Sequence, residues 1–205
     1  YTGLIFADGI YELAMTPLAE IEIPRIAFTD EDLSFASRFV LDWDSFLTLS
    51  LDYLAQRGRR NLAVISHREA NHEFNRRIEA AARKRNLKIE PFGMQFLPGN
   101  LATSARALSH LMMKTSPRPD ALLVTDDNLL EHVGAGLLEA GISVPHDVEI
   151  VAHCNLPWLT PSMVSAKRIG FDVREMLSRS IEAMDAIQQG QKLPREMRLQ
   201  AVVAS

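Results

Sequence analysis

A single cysteine, Cys154, means that no intrachain disulfide can form and that no set of thiolates can hold zinc. Such usage suits a reducing compartment. No apolar stretch reaches the length of a membrane span, and the opening run YTGLIFADGIYELA lacks the basic flank and cleavage pattern of a signal peptide. The expected location is therefore cytoplasmic, with no membrane partner. An excess of positive charge is missing too: 22 Lys+Arg against 26 Asp+Glu leave a net charge of -4, which offers nucleic acid no global attraction. DNA binding by this chain alone is not expected. There is no Gly-rich phosphate loop, no nucleophile elbow and no HExxH spacing. The chain is read as no enzyme, with no cofactor and no metal. A magnesium-dependent phosphoacceptor domain is the weaker alternative, because Asp126 and Asp127 lack an acidic pair on a first strand.

What is present is ordinary soluble material, 205 residues with 47% hydrophobic and 23% charged content, enough for one large core or two modest ones. Short β-rich runs lie at 3–6, 25–28, 61–66, 89–96, 121–124 and 148–153, and stretches with helical spacing at about 10–21, 44–57, 71–85, 101–114, 127–140 and 172–189. Strand alternating with helix predicts an α/β fold with parallel sheets. Gly58, Gly141 and Gly190 stand just past the last apolar turns of three of these helices, where a left-handed residue is wanted, and Pro145 blocks continuation of the helix ending near Ala140. In helix 127–140 the positions Leu129, Leu130, Val133, Leu137 and Leu138 follow one buried face. With no repeat or Gly/Ser linker in the chain, division into domains has to come from crossovers between sheets.

Chemistry concentrates at strand ends. In DALLVTDDNLLEHVGAG (120–136) an apolar strand runs into two carboxylates and then a helix. Such a junction is where open α/β sheets bind ligands, so the acids could hold a metal or a hydroxyl-rich solute. They could equally cap the helix, since an aspartate accepts hydrogen bonds from free N–H groups of the first turn and suits the positive end of the dipole. Asp127 reads mainly as the cap, and Asp126 stays open between the two roles. His67, at another strand end, reads more readily as a hydrogen-bonded structural group than as a ligand. A Cys154/His153 dyad is disfavoured, because adjacent strand residues point to opposite faces.

Three segments carry a resemblance: RGRRNLAVIS (57–66), RPDALLVTDDNLLEHVGAGLLEAGISVPHDVEIVAHCNLPW (118–158) and GQKLPREMRLQAVV (190–203). Together they resemble the effector-binding core of the lac repressor/galactose repressor (LacI/GalR) family, matching its PDAIxxxND turn, its GLxVPxDVxVVGxD segment and its closing G-x-x-L-P. The resemblance covers most of the chain. It implies two parallel-sheet subdomains of periplasmic-binding-protein-like type I architecture, with residues 1–58 plus 164–190 in one and 59–163 plus 191–205 in the other. It also implies a small-molecule effector in the cleft, a homodimer, and operator DNA read through a separate headpiece. The start of the chain, TGLIF, resembles the family's DGIIL strand, so the headpiece is expected to be missing and the first subdomain incomplete, with an exposed edge. A solute-binding protein of the same architecture is the alternative.

Carried over one at a time, the family's cleft residues depart from its pattern. Its effector-binding arginine falls on Phe74, with Arg76 and Arg77 as displaced candidates. Its cleft aspartate falls on Cys154, with His153 and Asn155 beside it, and its asparagine becomes Asp126. Its stacking aromatic falls near Gly99, with Phe96 close by, while Asp42, Trp43 and Asp44 are expected to form an acidic, aromatic rim. Trp158 is placed to close the cleft or to plug the core. These departures argue against an ordinary hexose. They leave open a cationic or purine-like compound, a phosphate held by Arg76 or Arg77, or no small ligand at all, and the acidic rim favours a neutral or cationic one.

Overall fold

The computed structural model describes residues 3–6, 17, 20, 23–30, 32–33, 36–66, 72–97 and 103–204. The chain divides into two compact units, Tyr1–Trp43 with Phe171–Gln200, and Asp44–Gly170 with Ala201–Ser205. It passes between them three times, and each unit is described by itself.

In the first unit, strands β1 (Leu4–Phe6), β2 (Arg25–Phe28), β3 (Ser37–Asp42) and β9 (Glu196–Gln200) pair in parallel in the order β1-β2-β3-β9. Helix α5 (Val173–Gln188) places Ala183 and Met184 against Ile26 and Phe39 in one small core cluster, and Ala27 and Leu33 form another. Asp172 starts the helix by accepting hydrogen bonds from the Arg174 and Glu175 N–H groups at 2.8 and 3.2 Å, which otherwise have no partner in a first turn. β1 forms the edge of the described sheet.

The second unit holds the larger core. Its sheet runs β10-β8-β7-β6-β4-β5, from β4 (Leu62–Ser66), β5 (Met94–Phe96), β6 (Ala121–Val124), β7 (Glu149–Leu156), β8 (Lys167–Asp172) and β10 (Val202–Val203). The pairs β4–β5, β4–β6 and β6–β7 are parallel, and β10 pairs antiparallel with β8. Every residue of β4 and β6 is buried, as expected of parallel strands with both faces covered. Ala63, Ile65, Leu122, Val124, Ile150 and Ala152 form one cluster with Leu129 and with Leu130, Val133 and Leu137 of α4 (Leu130–Glu139), beside α3 (Ser104–Met112). By alternation, Leu62, Val64, Leu123 and Val151 face the other way. Helix α1 (Trp43–Gln56) contributes the buried Phe46, Leu47, Leu51 and Leu54, and α2 (His72–Arg83) the buried Phe74 and Ile78.

Several expectations need correction. The sheets divide the chain elsewhere than 1–58 plus 164–190 against 59–163 plus 191–205: residues 44–56 join the second unit, and 196–200 pair with β3 in the first. Strand β3 had no alternating pattern to reveal it, β8 at 167–172 lies outside the β-rich runs read from the sequence, and only 94–96 of the run 89–96 is a strand. Leu138 is 52% exposed, because the buried stripe of α4 runs through Leu130, Val133 and Leu137, and Leu138 lies one residue further round the helix. The predicted helix 10–21 lies mostly outside the described residues. Gly58, Gly141 and Gly190 do adopt positive φ at their helix ends.

Candidate functional site

Three parallel strands of the second unit bring their carboxyl ends together. Val64 stands opposite Leu123, Ile65 opposite Val124, and Val124 opposite Ala152, so Ser66, Thr125–Asp127 and His153–Asn155 share one end of the sheet. The Thr125 hydroxyl donates to Ser66 Oγ at 2.6 Å, both groups being buried.

Of the two roles left open for Asp126 the structure shows the cap, and it removes that role from Asp127. Asp126 is extended, half-buried, and accepts from the Asn128 N–H at 2.8 Å, so it caps the short 3-10 turn Asp127–Leu129 that leads into α4. Asp127 is buried and instead accepts from the Thr160 hydroxyl at 2.9 Å. Asp127 is thus not the cap: it is the first residue of the 3-10 turn, and the side chain that faces the turn's free N–H groups is Asp126.

The displaced arginine candidates also separate. Phe74 is 3% exposed and packs as a core residue of α2. Arg76 is exposed, whereas Arg77 binds Asp44 across α1 and α2, with Nε–Oδ1 2.9 Å and a second contact at 2.7 Å. The acidic, aromatic rim does not form as expected. Trp43 is buried in the first unit, edge-on to Phe171 with ring centroids 5.4 Å apart, Asp42 accepts from Gln200 Nε2 at 2.7 Å, and Asp44 is matched by Arg77. That pairing removes both the negative rim and the free Arg77 from the phosphate alternative.

On β7, His153 is buried edge-on to Phe46, with centroids 5.8 Å apart. Cys154 is fully buried, and burial pushes its thiol up from the ordinary 9.0 to about 11. Asn155 is exposed, and Trp158, bridged back to it, is 61% exposed. Trp158 therefore does not plug the core. The loop after β7, which reads as polar in sequence, also exposes Leu159 and Met163. Of the ligand-facing candidates, Asp126, Asn155, Arg76 and Trp158 keep solvent-accessible surface, while Phe74, His153, Cys154 and Trp43 are packing positions. His67 and Gly99 lie outside the described residues.

Two residues that sequence reasoning passed over complete the cluster. Arg168 Nη2 donates to the Thr160 carbonyl at 2.7 Å. Burial draws the Arg168 guanidinium below its ordinary value, with nearby Cys154 and Asp127 acting in the opposite sense. No local pattern marks Thr160 or Arg168, since their partners are distant in sequence. Among the described residues no group of three His, Cys, Asp or Glu is placed to hold a metal ion, and no helix is long and apolar enough to cross a membrane.

Two α/β units crossed three times by the chain, with polar groups gathered at the carboxyl ends of parallel strands, define a ligand-binding class of fold. The family model described as periplasmic binding protein-like domain matches residues 51–202, and the chain belongs to that family. Comparison with curated proteins finds no match. Among solved structures, a LacI family transcription regulator from Clostridium acetobutylicum is similar with TM-score 0.82 and 19% identity, over 100% of this chain and 78% of that one. A regulatory protein of the LacI family from Chloroflexus aggregans gives TM-score 0.80 and 21% identity, over 98% and 74%. A LacI family transcriptional regulator from Arthrobacter sp. FB24, in complex with lactose, gives 0.80 and 16%, over 100% and 77%. At such identities the likeness shows the fold.

Proposed function

We propose that this chain is the ligand-sensing core of a LacI-like transcriptional regulator, which binds a small-molecule effector and acts by a shift in conformation and not by covalent chemistry. The observation that carries the reading is the family match over residues 51–202 together with the polar strand-end cluster of Ser66, Thr125, Asp126 and Asn155. The complex of a similar regulator with lactose supports a polar, hydroxyl-bearing small molecule as the kind of effector. Asp126 and Asn155 supply an acceptor and an amide for hydroxyl or amino groups, and Arg76 is an exposed cation of α2. An effector works by binding one conformation of the core better than another, which changes how the regulator presents its DNA-reading headpiece. The core acts in the cytoplasm as a homodimer, and operator DNA is met through the headpiece.

The test is a thermal-shift screen against sugars, sugar phosphates, nucleobases, polyols and small amines, with and without magnesium. A ligand that binds only the native state raises its stability by mass action. Stabilisation by one chemical class, lost in Asp126→Ala, is the expected result. A response to magnesium alone, or none from a folded sample, would overturn the reading.

A further inference from the structure

The loop that leaves β7 presents Trp158, Leu159 and Met163 to solvent, an apolar surface on a segment with no secondary structure of its own beyond one bridge. What holds it is specific. Its start is tied by the Asn155–Trp158 bridge, and its end by Val164, which joins the α4 core cluster. Its middle is tied to the turn and to the sheet by Thr160: the hydroxyl donates to Asp127 Oδ2 at 2.9 Å, and the carbonyl accepts from Arg168 Nη2 at 2.7 Å. Asp127 in turn is the first residue of the 3-10 turn that Asp126 caps. One residue thus connects the candidate ligand turn to the apolar loop, gripped on its side chain by the first and on its backbone by the sheet.

We infer that Thr160 is a positioning residue through which the Asp126–Leu129 turn and the loop 157–163 open and close as one unit. Resting on the proposed function, this makes presentation of the apolar loop respond to whatever engages the turn. The physical reason is the burial of Asp127. A buried carboxylate that loses a donor is left undersolvated, so the turn does not release Thr160 without cost, and the loop does not leave without disturbing the turn.

The test is amide hydrogen exchange in a double-mutant cycle of Asp126→Ala and Thr160→Val, with Thr160→Ser as the conservative variant. Thr160 is only partly buried, so the chain is expected to stay folded. In the wild-type background Asp126→Ala should speed exchange about two- to tenfold, the worth of one hydrogen bond, at the turn and also at the loop amides of residues 158–160 and 162–164. In the Thr160→Val background Asp126→Ala should affect the turn and leave the loop unchanged, while Thr160→Ser behaves as wild type. Equal loop effects in both backgrounds, or none in either, would overturn the inference. The cycle needs no ligand, so failure of the ligand screen and failure of this coupling are separate results.

Discussion

Asp126 and Asp127 are neighbours in sequence with opposite surroundings, and each has its own consequence. Asp126→Ala removes a cap and is expected to cost about 0.5–2 kcal/mol in denaturant unfolding, in addition to weakening effector binding. Glu149 is a second such residue: it is buried at the start of β7, accepts from the Tyr53 hydroxyl at 2.9 Å, and pairs with Arg57 and Arg59 at 3.3 and 3.5 Å. Hydrogen bonds to charged groups are worth about 1.5–3 kcal/mol, so Glu149→Ala should lower stability by that order. Cys154 sets a pH dependence with a defined sign. Its folded thiol titrates at about 11 against an ordinary 9.0, so above pH 9 the unfolded chain loses the proton while the folded one keeps it. Stability from this group is complete below pH 9 and falls as pH rises towards 11. Comparing unfolding curves of wild type and Cys154→Ala at pH 8 and pH 10.5 should show a steeper loss in the wild type.

At the scale of elements, the contact between α3 and α4 depends on a residue with no side chain. Gly136 is buried where a methyl group would overlap the Arg106 carbonyl and Ser109 Oγ, and the Ser109 hydroxyl donates to the Val133 carbonyl at 3.1 Å. Gly136→Ala should therefore force the helices apart and cost about 1–3 kcal/mol, despite the better helix propensity of alanine. A melting temperature equal to wild type would contradict this packing. The same logic applies at Gly170, where a methyl group would overlap the Cys154 backbone and push β8 off β7. Most elements were legible beforehand. Apolar runs such as LLV and AVI need only their composition to be recognised as buried strands, and the helix ends needed only their glycines. β3 and the division between the units were not, because Ser37–Asp42 mixes charged and apolar residues and its pairing with β9 joins segments about 160 residues apart.

For the molecule as a whole, the exposed apolar loop bears on assembly. Helix α1 buries Phe46, Leu47, Leu51 and Leu54, and α3 with the residue after it buries Met112 and Met113, in the core of the second unit. Trp158, Leu159 and Met163, by contrast, keep apolar surface exposed. On the proposed function, light scattering at micromolar concentration is expected to give the mass of two chains, and the double variant Trp158→Ser, Met163→Ser the mass of one. An unchanged dimer in that variant would place the interface elsewhere.

Sequence by itself determined the α/β class, the order of most strands and helices, and the identity of the strand end where polar groups gather, because burial and helix termination are read locally along the chain. Tertiary structure alone decided which aspartate caps and which is buried, that Arg77 is matched by Asp44, that Phe74 and Trp43 pack inward, and that Thr160 and Arg168 belong to the site. Apart from the Asp126 cap, which is local, each of those depends on side chains from separate elements meeting, by hydrogen bond or by packing. Residues so far apart in sequence leave no periodic trace of that meeting.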